Sequence, residues 1–456
     1  MSVYVRPSAK GNTRSHIWLG LLFAALMLAD CRPATALPAF ARKYGMPCSS
    51  CHEAWPKLSP FGQNFKDNGY QMMNERDAPI FQNASYWPVT FRITPIWHRE
   101  STNRVAVDTN PATVPPTQTE AQITTHGFDW TGLDFHTAGT LAKNVSFYVL
   151  PSSDNTGAFH FESVWARFDN LFGSSWLNIK LGKFELDNLH SEKRTLTLSP
   201  VGGGYQNYHF QPVGESLYTF GLGDNQVGLE WMGHSKNDRT RVSASLLSST
   251  DGKPNLPASS YDAFFAASRA FEFGSFGVQR VGGFAYIGQA PTYPKYTTGG
   301  TAVPGTGTGN KTFYRVGLIG MWYFKKLDIT TMYFHGQDSA FLGTNTPANQ
   351  PLPVGARAPN WNGGLFETHY NLSPQLIFIN RYELVRMSRQ ALDSTLGDVG
   401  NLDVVTFGYR YYPFISSRAG FAFHNEYALL RRRKVSPVNN LDLTSSSLLL
   451  GFDFAF

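Results

Sequence analysis

The chain closes on "SSSLLLGFDFAF", Ser445 to Phe456. Leu448, Leu450, Phe452, Phe454 and Phe456 fall on one face of an extended strand, and Ser447, Gly451 and Asp453 fall on the other. Successive strand side chains point to opposite faces, so this period of two predicts one apolar and one polar surface. A buried edge strand of a soluble sandwich is the competing reading. Alternation carried to a terminal aromatic instead suits a transmembrane β-barrel, whose strands alternate lipid-facing and lumen-facing residues.

The pattern recurs upstream, with turn residues between the segments. "VTFRITPIW" (89–97), "WLNIKLGKFEL" (176–186), "LDITTMYFHG" (327–336) and "VVTFGYRYYPF" (404–414) are four of fifteen such segments. Closed bacterial barrels favour even strand numbers, so about 16 strands are predicted, with the missing one in 122–142 or 205–222. Short connections such as Lys325–Lys326 and 235–240 read as periplasmic turns, and 99–121, 290–310 and 337–360 read as outer loops. The barrel is assigned to residues 86–456.

Composition agrees. Aromatics are 14% of the 456 residues, glycines number 42, and charged residues are only 16%, a low share for a soluble surface. Mean hydropathy is nevertheless −0.25, which excludes a helical membrane protein. Of the net charge of +6, residues 1–36 carry +3, with Arg6, Lys10, Arg14 and Arg32 set against Asp30. "RRRK" (431–434) is an isolated cluster, so no nucleic-acid partner is expected.

Residues 1–36 read as a secretory signal peptide. A basic start is followed by the apolar run Ile17–Ala29 and a small-x-small site at Ala34–Ala36. Cys31 follows "LAD", and the charge of Asp30 disfavours lipidation there. The mature chain then holds two cysteines, Cys48 and Cys51, and is exported to the outer membrane.

Residues 37–85 follow a different period. Phe40 and Tyr44 stand four apart in "LPAFARKYG", and Leu58, Phe61 and Phe65 form one apolar face around "SPFGQNFKDNG". In that second segment Ser59 is a helix N-cap, Pro60 the first helical residue and Gly69 the terminator. Between the two stands Cys48-x-x-Cys51-His52. Two thiols at this spacing reach the two vinyl groups of one haem, and the following histidine ligates its iron, so haem c is the expected cofactor. A thioredoxin-like redox pair would need a βαβ context that is missing. A zinc site would need further ligands, and a disulfide across this spacing would be strained. For the distal position Met72 is the candidate, with its neighbour Met73. His98 is a second, and Met46 stands too near Cys48 to reach the opposite haem face.

About 50 residues are too few to bury a haem and build a core. Trp55, Phe61, Phe65 and Tyr70 cover one side, and the barrel lumen is the expected second wall. A plug of this kind would carry electrons across the membrane and close the pore.

The stretch Pro38–Tyr70 resembles the outer-membrane fused cytochrome–porins, extracellular iron(II) oxidases among them. The likeness lies in Pro38, Phe40, Ala41 and Arg42 before the haem motif, and in Pro56, Leu58, Phe61, Gly62, Phe65, Lys66, Gly69 and Tyr70 after it. The chain departs from the iron oxidases at Lys43, Tyr44 and Gln63. The resemblance implies a monohaem electron carrier joining an extracellular donor or acceptor, Fe(II) included, to a periplasmic carrier. As an enzyme it would be an iron(II):cytochrome oxidoreductase. The alternatives are a diffusion porin with a structural N-terminal plug, and a haem-based small-molecule sensor.

Overall fold

The computed structural model describes residues 39–71 except 45 and 55. From 89 to 455 it describes all but 111, 113–116, 154–155, 212–219, 251–252, 255–260, 291–294, 299–300, 305–309, 345, 347, 349, 390–400, 416–419 and 436–440. The signal peptide, Cys31, Trp55, Met72, Met73 and Phe456 lie outside the described residues.

Among the described residues sixteen antiparallel strands close into one barrel. They are β1 Val89–Asn110, β2 Thr117–Ala142, β3 Val145–Ser153, β4 Phe159–Phe168, β5 Asn178–Phe184, β6 Gln226–His234, β7 Thr240–Thr250 and β8 Asp262–Glu272. Then follow β9 Val278–Ala290, β10 Lys311–Phe324, β11 Leu327–Asp338, β12 Asn360–Ser373, β13 Leu376–Arg389, β14 Leu402–Ile415, β15 Gly420–Arg432 and β16 Leu443–Ala455. The sheet closes where β16 pairs with β1, Ala455 opposite Arg92 and Ser445 opposite Thr102. Leu450 and Phe452 are exposed, whereas Ser447, Leu449, Asp453 and Ala455 are buried, the alternation that the C-terminal residues predicted. In β11, Asp328, Thr330, Met332 and Phe334 point into the lumen and Tyr333 points out.

The exterior carries Leu181, Leu229, Leu318, Phe366, Phe378 and Phe407 among its exposed large side chains. On a closed barrel, which leaves no unpaired edge, such a surface faces lipid. The chain is an outer-membrane barrel, and its short turns, with both ends of the barrel sheet beside them, mark the periplasmic side.

The sixteenth strand is β2, in the first of the two stretches where it was expected. The stretch 205–222 is no strand; where described, it belongs to a segment inside the barrel. The supposed outer loop 99–121 is corrected as well. Most of it continues β1 and β2 as a paired hairpin, from Ser101 opposite Thr124 out to Asn110 opposite Thr117. About 10 residues cross the hydrocarbon layer, so the rest of these strands stands in water and needs no apolar face. That is why alternation did not mark them.

Residues 185–211 and 220–225, between β5 and β6, fold into the lumen. Backbone N–H groups of Leu198 and Ser199 donate to Glu426 of β15 at 2.8 and 2.6 Å. Asn207, in the short helix Gln206–His209, donates from its side chain to Glu383 of β13 at 3.2 Å and to the Gly364 carbonyl of β12 at 3.0 Å. The segment therefore spans the barrel from β5 and β6 to the far wall.

Candidate functional site

The N-terminal segment forms a plug in the periplasmic half of the lumen. It contains helices α1 Ala39–Tyr44, α2 Cys48–Cys51 and α3 Pro60–Asp67, with a short hairpin of His52–Ala54 and Lys57–Leu58. Ser59 caps α3 by accepting the Gly62 N–H at 3.1 Å and donates its hydroxyl to the Ser50 carbonyl at 3.0 Å, tying α3 to the cysteine turn. The helix ends in a Schellman motif: the Tyr70 N–H reaches the Phe65 carbonyl at 2.9 Å, the Gly69 N–H reaches that of Lys66 at 3.2 Å, and Gly69 has φ +75°. Phe40 of α1 closes on both rings of that turn, 5.0 Å from Phe65 and 5.1 Å from Tyr70.

Ionic contacts anchor the plug on two sides of the wall. Arg241 of β7 pairs with Asp67 at 2.9 Å, and Arg167 of β4 donates to the Lys66 carbonyl at 2.8 Å. On the other side Lys57 meets Asp328 of β11 at 3.4 Å and donates to His369 Nδ1 of β12 at 2.9 Å, while also pairing with Glu53 at 2.8 Å. Burial would lower the Lys57 pKa, but Glu53 and Asp328 outweigh it and hold the amine above its ordinary value.

Between plug and wall lies a cavity of about 440 Å³, within the roughly 300–1,000 Å³ typical of small-molecule and cofactor sites. Its plug side presents Cys51, His52, Tyr44, Phe65 and Tyr70; its wall side presents His136, Tyr148, Trp165 and Met232; the inward segment adds Glu185, Lys193 and Arg194. Three near-parallel ring pairs run along it, Phe40–Tyr70 at 5.1 Å, Tyr70–Trp165 at 6.2 Å and Trp165–Tyr148 at 6.0 Å. Six cationic side chains line the cavity (Lys66, Arg92, Arg167, Lys180, Lys193, Arg194) against three anionic ones (Asp134, Glu162, Glu185). Four of the six cations are already paired with carboxylates, Arg92 with Asp453, Arg167 with Asp169, Lys180 with Glu230 and Arg194 with Glu185. Burial, with the Arg194 charge nearby, depresses Lys66 to about 8.

His52 lines the cavity. Its Nδ1 lies 3.3 Å from the Pro56 carbonyl. A carbonyl only accepts, so Nδ1 carries the hydrogen and Nε2 keeps a lone pair, the tautomer a metal-bound histidine needs. Burial, the largest cause, lowers its pKa to about 4, which keeps the ring neutral. Cys51 is in no disulfide, and burial raises its thiol pKa. Cys48 opens the same helical turn, α2. A half-buried imidazole, a cysteine turn and an aromatic-lined cavity beside them are the donors and lining that haem c would need.

Other expectations are corrected. Phe61 is 43% exposed and does not line the cavity. Gly62 packs on Cys51, where a Cβ would meet the carbonyl oxygen at 1.9 Å. With the Gly62–Lys66 face turned inward, Phe61 rotates away. His98, the second distal candidate, lies mid-strand in β1; it pairs with Glu100 at 2.8 Å and is not among the residues lining the cavity. Met46 does line it. His136 and Tyr148 were missed from the sequence, because a luminal histidine in a polar strand has no local signature.

No family model matches the chain, and no curated protein matches it. Solved structures similar to it include the anion-selective porin from Comamonas acidovorans, at 10% identity over 81% of this chain and 99% of that one, TM-score 0.45. Another is the outer membrane channel DcaP of Acinetobacter baumannii, at 10% identity over 80% and 97%, TM-score 0.48. A third is OprB of Pseudomonas putida, at 9% identity over 80% and 94%, TM-score 0.45. The likeness is one of fold.

Proposed function

We propose that the chain is an outer-membrane electron carrier whose plug holds one haem c, with Cys48 and Cys51 as its thioether anchors and His52 as the proximal iron ligand. The observation that carries this reading is the 440 Å³ cavity opening on Cys51 and His52. The aromatic side chains offer the porphyrin an apolar lining, and the cationic ones offer partners to its two propionates. When bound, the haem supplies a one-electron centre. The protein's part is to hold the imidazole neutral, exclude bulk water and neutralise the carboxylates.

The plug's place in the periplasmic half puts a soluble periplasmic carrier within reach. The extracellular partner is a donor or acceptor outside the cell, and Fe(II) is the donor implied by the resemblance of Pro38–Tyr70. Purified after expression with c-type haem maturation, the protein is expected to give a pyridine haemochrome spectrum of one thioether-linked haem. Cys51→Ala should alter that spectrum through loss of one thioether. Absence of covalent haem from the matured protein would sink this reading.

The second reading is a diffusion porin, favoured by the porins and channels among the similar structures. It needs a water-filled path. Phe65 and Tyr70 of the plug instead join Tyr205 and Tyr208 of the inward segment and Phe284, Phe334 and Trp361 of the wall in one buried apolar cluster. Conductance separates the two readings, as discussed below.

A further inference from the structure

We infer that His136 of β2 is the distal iron ligand, an inference that rests on the haem reading above. Among the histidine and methionine side chains lining the cavity are Met46, His52, His136 and Met232. Met46 belongs to the plug and stands two residues before Cys48, on the side that already supplies His52. Met232 has its sulfur engaged, accepting from Arg167 Nη1 at 3.9 Å. His136 comes from the opposite partner, the barrel wall.

Its hydrogen bonding mirrors that of His52. Nδ1 lies 2.8 Å from the Tyr148 hydroxyl, a group able to donate or accept; in the tautomer whose Nδ1–H it accepts, Nε2 keeps its lone pair as in His52. Nε2 is buried and without a hydrogen-bond partner; the Asp134 carboxylate stands 3.9 Å away, beyond hydrogen-bond reach. A buried ring nitrogen with a spare lone pair, beside a partner that orients the ring through its other nitrogen, is the arrangement of a metal-binding histidine. Its backbone is held in the barrel ladder, opposite Thr90 of β1, and Thr90 lines the same cavity. The wall would therefore supply a ligand on a rigid element while the plug supplies the other.

Two imidazoles give six-coordinate, low-spin iron at a lower potential than a histidine–methionine pair. They also leave no open coordination position for a small-molecule signal.

The full-length matured protein tests this. Pyridine haemochrome counts the haem, and electron paramagnetic resonance with near-infrared magnetic circular dichroism identifies the axial pair. The wild type should show low-spin bis-imidazole iron. His136→Met should gain a far-red sulfur–iron charge-transfer band and a higher midpoint potential, and His136→Ala should turn high-spin and bind CO. A wild-type spectrum that is five-coordinate or methionine-ligated, as Met72 would make it, overturns the assignment and leaves the haem reading intact. So does a bis-imidazole signature that persists in His136→Ala. A chain without covalent haem overturns both.

Discussion

Lys57 shows how the lumen differs from a soluble core. Its amine lies among Glu53, Asp328 and His369, and its side chain is only 11% exposed. Removing one member of a buried ion pair leaves the other charged and desolvated, at a cost of about 3–5 kcal/mol. Lys57→Met should therefore undock the plug from β11 and β12 while sparing the barrel. Amide exchange across residues 56–71 should rise with barrel exchange unchanged, and equal protection in both proteins would show that the pair holds nothing. Nothing in the sequence marks Lys57 as buried, because its two wall partners, Asp328 and His369, stand hundreds of residues downstream. Gly62 is similar: only the approach of Cys51 explains why no side chain fits there.

Among the elements, α3 was legible almost entirely from its residues. Its Ser59 cap, Pro60 start and Gly69 stop are local physics, settled within one turn of chain. The inward segment between β5 and β6 was not, since it has no period and its contacts are with distant strands. His190 makes that segment's docking pH-dependent. Its ring lies 4.6 Å from that of Tyr205, tilted by 33°, and burial, the leading cause, lowers its pKa to about 4. The unfolded ring titrates near 6.5, so between these values the undocked segment binds the extra proton. Docking is then at full strength above about pH 6.5 and weakens as pH falls toward 4, by at most about 3 kcal/mol. Amide exchange of residues 186–211, corrected for its intrinsic pH dependence, should follow this course. His190→Gln should flatten it, although Glu185, held at about 2 by Arg194 against its own burial, adds a same-signed loss at lower pH.

At the scale of the molecule, the lumen is occupied twice, by the plug from the periplasmic half and by the described residues between β5 and β6 from the outer side. Their shared apolar cluster joins both to the wall, and a cofactor-sized cavity lies between plug and wall. In planar bilayers the intact protein should conduct little, and deletion of residues 39–71 should raise its conductance. A large open-channel conductance of the intact protein would favour the diffusion porin.

The sequence by itself determined the barrel, because strand alternation records which side chains meet lipid. It also determined the capped plug helix, because capping acts within a few residues, and it carries the motif Cys48, Cys51 and His52 on which the proposed function rests. The tertiary structure alone decided where the plug sits, which segment fills the lumen with it, and that His136 shares a cavity with His52. Those facts depend on residues brought together across a closed sheet, and closure joins positions that no local period relates.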